Sequence, residues 1–175
     1  TVAGMSLGGV QDRLDSAVWN GWLQRASRLL ADQPESVEHG WLELCMVRSA
    51  FERGDIEDVE RHALAAQEIG ARLDDRDLQA FGLALQGGIM VMHTQLEQGL
   101  SLVDEATLAA VGGELTPYVA GNIYCLTIGV CRSVADYRRA SEWTEAAARW
   151  CEREAITAFP GVCRVQRAEI MRLRG

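Results

Sequence analysis

Apolar and small residues return along this chain at a beat of 40 or 41 positions, on segments whose local spacing is that of amphipathic helices. Ala26, Ala66, Ala106 and Ala147 stand late in four such runs, at steps of 40, 40 and 41. Ile56, Leu96 and Tyr137 open three of the runs on the same beat. With Gly54, Thr94, Ala135 and Gly175 as the recurring turn, the positions ten residues earlier read Leu44, Ala84, Cys125 and Val165. Seven earlier come Val47, Gly87, Ile128 and Ala168, and four earlier come Ala50, Met90, Cys131 and Met171. All are apolar or small, and steps of three hold them near one stripe of a helix. Beyond the turn, Val59, Gly99 and Ala140 recur, then Ala66, Ala106 and Ala147, which lets a neighbouring helix approach closely.

The pattern predicts first helices at about 36–53, 76–93, 117–133 and 159–174, and second helices at about 14–32, 55–73, 96–111 and 137–154. Thr116-Pro117 is a start signal, because proline in the first helical turn loses no hydrogen bond. Pro34 and Pro160 also fall at expected helix entrances. The expected fold is all-α, with about seven to eight helices arranged as antiparallel hairpins in a stacked array. Residues 14–175 form one repeat domain, with hairpins at about 36–73, 76–111 and 117–154 and a half-repeat at each end. Residues 1–13 are a tail or the remnant of a preceding helix. Gly175 falls on a turn position where another second helix is due. The native polypeptide is therefore expected to continue, and the open seam of Val165, Ala168 and Met171 to drive self-association through the C-terminal helix.

Composition narrows the class. The hydrophobic share of 48% suffices for a core, and only three prolines interrupt 175 residues, which suits long helices. Net charge is −8, and all seventeen basic residues are Arg, which GC-rich coding explains more simply than ion-pair chemistry does. Residues 1–115 carry nineteen acids and eight arginines, against six acids and nine arginines in 116–175. That balance argues against direct nucleic-acid contact by this fragment. Five cysteines without a CxxC pair read as reduced thiols, and no signal peptide or spanning segment is visible, so a cytoplasmic protein that does not enter the membrane is expected.

GDIEDVERHALAA at 54–66 resembles the turn and second helix of the tetratricopeptide repeat, with ADYRRASEWTEAA at 135–147 and TQLEQGLSLVDEA at 94–106 as further copies. The resemblance covers residues 12–175 and implies a right-handed solenoid, although the period exceeds the usual 34 or so. The stretches 21–42 and 149–175 are similar to the helical-repeat region of large bacterial LuxR-type, MalT-like transcriptional regulators. That similarity implies a sensor or relay segment without catalytic residues.

No residue pattern points to catalysis, a metal or a cofactor. His39, His62 and His93 lie 23 and 31 apart, where a zinc site wants short paired spacings. Gly87-Gly88 sits within a helix and makes no phosphate loop. The acids Asp55, Glu57, Asp58 and Glu60 suit a helix start, where the backbone dipole favours negative charge. The candidate site is a groove along the first helices, whose register offers Trp41, Arg48, Phe51, Phe81, Asn122 and Arg132. Aromatic and arginine side chains anchor interfaces, but aromatics at helical spacing also serve cores, and both readings stand for them. The same holds for Trp19, Trp22, Trp143 and Trp150 on the second helices.

The leading expectation is a module of a bacterial transcriptional regulator that binds a protein, a peptide or a small effector, with the DNA-binding module outside this chain. A stand-alone scaffold recruiting a protein partner is the alternative. An enzyme working on the concave face is the third reading, and no acid–base or nucleophile–base spacing supports it.

Overall fold

A computed structural model describes the backbone from residue 12 to 156 and side chains from residue 17, with Ala168 and Arg172 as two further helical positions. The expected tail at 1–13 and helix at 159–174 lie almost wholly outside the described residues. Among these the structure is all-helical, with seven helices: α1 (Asp12–Leu30), α2 (Val37–Arg53), α3 (Ile56–Leu73), α4 (Arg76–Met92), α5 (Leu96–Gly112), α6 (Pro117–Ser133) and α7 (Tyr137–Arg153).

The corners repeat as closely as the helices. Gly54, Thr94 and Ala135, the expected turn residues, are left-handed, with φ of 74°, 66° and 60°. The alternate corners use Asp74, Gly113 and Ala155, at φ of 54°, 73° and 52°. At each corner the next amide reaches back five residues: Asp55 to Ala50 at 3.0 Å, Gln95 to Met90 at 2.9 Å, Asp136 to Cys131 at 2.9 Å. This left-handed C-terminal closure satisfies carbonyls the helix leaves open. At three corners an aspartate then caps the following helix, Asp55 accepting from the Asp58 amide, Asp75 from Leu78 and Asp136 from Arg139, whereas Gln95 before α5 and Thr116 before α6 make no side-chain cap. At these three corners local chemistry thus ends one helix and starts the next within two or three residues.

Each helix packs against its sequence neighbours, and α4 also meets α2 and α6. The contacts run in opposite chain directions. Trp19 bonds Ser49 while the Leu30 carbonyl meets His39, and Arg53 meets Asp58 while Glu35 meets Arg72. Ala66, Ala106 and Ala147 are buried, as the period requires of a close helix contact. The tightest crossing joins α4 to α5: a Cβ on Gly87 would lie 2.6 Å from the Gly99 carbonyl oxygen, and one on Gly99 equally close to the Gly87 oxygen. Between α5 and α6, Thr107 and Thr127 bury their hydroxyls 2.7 Å apart, and each also reaches its own helix carbonyl. The seam is not uniform. Met90 and Cys125 stay half-buried, as does Ala26, whose helix packs on α2 alone among the described residues.

Candidate binding groove

Trp41, Phe81 and Asn122 stand at one register on α2, α4 and α6. Trp41 and Phe81 pack their inner edges on the same two buried clusters, which centre on Leu78 and Ala84. Trp41 also reaches past α4 to Tyr118 at the start of α6, with ring centroids 6.3 Å apart and planes tilted by 53°. Pro117 sets the first turn there, and exposed Tyr118 follows it directly. Asn122, one turn on, gives its amide to the Tyr118 carbonyl at 2.8 Å. Three aromatics from three successive first helices therefore make one half-open seam. Tyr118 was not among the sequence candidates, because it stands a turn before the columns considered. An exposed aromatic directly after Pro117 was the available signal.

The other candidates behave differently. Arg48 lies under the Trp19 ring, 5.1 Å from its centroid, and bonds Glu52 at 3.0 Å, so it holds α1 against α2. Phe51 packs on Val47, Ala50, Val59, Ala63 and Ile89, in the core between α2, α3 and α4, and does not join Trp41 and Phe81. Its counterpart Val91 is buried, with its Cγ2 2.8 Å from where a Gly99 Cβ would stand. That column faces the next second helix, because residues four apart share a side and Gly87 already points there. Arg132, in the same column, is half-buried in the last turn of α6. Beyond the aromatic seam the groove floor is bare: a methyl on Gly88 would touch Leu126 and Val130 only at ordinary contact, and one on Gly129 would meet nothing within 4 Å.

A second concavity opens on the opposite side of α4, between α3 and α5. Its volume is about 470 Å³; Ala80, Leu83, Ala109 and Leu115 form the apolar floor, and Glu68 and Glu105 stand at the rim. Arg76 crosses one end to Glu114 at 2.8 Å.

Titratable groups elsewhere serve the frame. His39 accepts the Ser36 amide through Nδ1 and meets the Leu30 carbonyl through Nε2, tying the end of α1 to the start of α2. His62 pairs with Glu43 across α2 and α3. Arg61, chiefly by hydrogen bonding, holds the Asp58 carboxyl below its ordinary value, and Arg72 does the same for Glu35. Burial pushes the Cys131 thiol up to about 12 and raises Cys45 and Cys125, so these sulfurs stay protonated at neutral pH and make poor nucleophiles. Among the described residues no three His, Cys, Asp or Glu side chains converge as a metal site would need, and no helix is long and apolar enough to cross a membrane. No family model, no curated protein and no solved structure matches the chain.

Proposed function

We propose that this chain is a binding module of stacked antiparallel helix hairpins, a right-handed tetratricopeptide-like solenoid, and that it works in the cytoplasm within a bacterial transcriptional regulator of the LuxR type. It takes a protein or peptide segment along the groove and passes the event to a DNA-binding module outside the chain. It does no chemistry of its own. The observation carrying the binding role is the seam of Trp41, Phe81 and Tyr118 beside a floor without side chains at Gly88 and Gly129. Rigid aromatics next to open space are the usual anchors of a bound segment. The regulator role rests on the sequence similarity alone. A stand-alone scaffold remains the alternative, and a reading frame encoding a helix-turn-helix on the same polypeptide separates the two.

The test is selection of displayed peptides on the chain, followed by titration of variants. Peptides should lose about tenfold or more in affinity for Phe81→Ala and for Gly129→Trp, the latter filling open space without touching the core. Peptides that bind both variants as they bind the parent would show that the groove is not the site. A mobility-shift titration at low salt should find no sequence-selective DNA binding. A small effector is the other ligand to test, and the concavity between α3 and α5 is where a variant can be placed to test it. Ala109→Trp should close that concavity.

A further inference from the structure

The aromatic end of the groove holds a carboxylate that the repeat itself does not require. Val37, Asp77 and Tyr118 share one register on α2, α4 and α6, one turn before Trp41, Phe81 and Asn122. Asp77 is the middle position of that column, and Phe81 follows it four residues on, along the same side of α4. The counterparts of Asp77 are an apolar and an aromatic residue, so stacking these helices needs no charge there.

The carboxylate is fixed in place. One oxygen of Asp77 accepts the Thr116 amide at 2.9 Å and the other accepts the Thr116 hydroxyl at 2.6 Å. Thr116 stands two residues before Tyr118, whose ring lies 6.3 Å from that of Trp41 and is 64% exposed. The carboxylate and the ring pair are therefore tied to the same turn at the start of α6. An ionised carboxylate offers about four lone pairs, and the two bonds from Thr116, both from neutral donors, leave the others unused. Half-buried Asp58 and Asp104 each meet an arginine of this chain, Arg61 and Arg139. Asp77, equally half-buried, forms no ion pair among the described residues, and Arg76 beside it turns to Glu114 at 2.8 Å.

Ring faces attract a cation through their quadrupole, and a planar guanidinium suits both a ring face and a carboxylate. We propose that the aromatic end of the groove is a subsite for an arginine side chain of the bound segment, its guanidinium over the Trp41 and Tyr118 rings and bonded to Asp77. The subsite rests on the groove being the binding site, and it adds the charge of the partner. A segment that is basic at its anchor is favoured and an acidic one is repelled, in keeping with the net charge of −8.

Displayed peptides whose binding depends on Phe81 and on open space at Gly129 are the probe. They should share an arginine, and citrulline in its place, which keeps the shape and removes the charge, should weaken binding about five- to tenfold. Asp77→Asn keeps an acceptor for Thr116. It should cost the arginine peptide a similar factor, cost the citrulline peptide almost nothing, and flatten the salt dependence of binding. Tyr118→Leu, at an exposed position, should narrow the gap between the two peptides in the same way. If Asp77→Asn lost its helical circular dichroism, the arginine-to-citrulline ratio on the parent and on Tyr118→Leu would decide. Groove-dependent peptides with no basic residue in common overturn the subsite and leave the groove standing. Equal losses of both peptides on Asp77→Asn do the same, since the carboxylate would then only latch α6 to α4. A lysine that serves as well as arginine overturns the guanidinium. Peptides indifferent to Phe81→Ala and Gly129→Trp remove the groove, and the subsite with it.

Discussion

Where α4 crosses α5, Gly87 faces Gly99 and the two backbones touch. One repeat on, at α6 and α7, the same register holds Ile128 and Ala140, both buried. The bulk moves as well. Tyr124 and Trp150 stack in the core of the second crossing, while their counterparts in the first are Leu83 and Ala109, which line the 470 Å³ concavity. One helical frame therefore accepts two packing solutions, one closed by backbone contact with a hollow beside it, the other filled by aromatic rings. The difference is one of packing: among the described residues the first solution leaves a concavity at the register that two rings fill in the second.

The comparison breaks most visibly at Trp150. Trp150→Ala should cost about 3–5 kcal/mol, since it removes a buried ring and leaves a cavity against Tyr124. A chemical denaturation midpoint close to the parent's would mean that the aromatic crossing does not hold α7. Next come overpacking changes at the glycine crossing and its neighbour. Gly99→Ala puts a methyl against the Gly87 oxygen and the Val91 amide and should cost roughly 1–3 kcal/mol, although alanine favours helix. The same residue type already sits at Ala140, so Ala140→Gly should cost only about 1 kcal/mol of helix propensity. Equal losses at the two sites would erase the distinction between the crossings. Ala106→Phe, at a position that recurs as alanine through the array, belongs to the same range of roughly 1–3 kcal/mol, with an unchanged melting temperature as the contrary result.

Smaller effects come from the corners. Gly54 is free to be left-handed, whereas Thr94 adopts φ of 66° against the steric preference of a β-branched residue. Thr94→Gly should stabilise by about 1 kcal/mol, and a lower melting temperature would show that the threonine side chain contributes more than its strain. The smallest effect is electrostatic. Asp58, half-buried between Arg61 and Arg53, has a folded value depressed mainly by its hydrogen bond to Arg61. Its contribution is therefore complete above the unfolded carboxyl value of about 3.9 and is lost as pH falls through the lower folded value. The gap in melting temperature between the parent and Asp58→Asn should be present at neutral pH and vanish in strong acid. A gap that persists there would assign the effect to the neutral cap geometry.

Much of the frame could be read before any coordinates. Helix ends agree with their expected positions to within about three residues, and Gly54, Thr94 and Ala135 are the left-handed corners that the beat picked out. The groove was legible only in part. Trp41, Phe81 and Asn122 came from one column, and Tyr118 joined them. Phe51 and Arg48 were drawn instead into the core and against α1. Helical periodicity identifies the stripe that must be covered, and two stripes a few tens of degrees apart look alike in sequence although one meets a neighbouring helix and the other meets solvent.

By itself the sequence determined where each helix begins, turns and ends, because capping, left-handed closure and apolar spacing act over a handful of neighbouring residues. It also set which columns must be small. Only the tertiary structure decided which neighbour each face meets, that the Gly87–Gly99 crossing leaves a hollow where Tyr124 and Trp150 fill one, and that Trp41 finds Tyr118 across an intervening helix. Those outcomes depend on how far apart whole helices settle. That distance is set jointly by residues 12, 26 and 77 apart in the chain, on different helices, which no local pattern records.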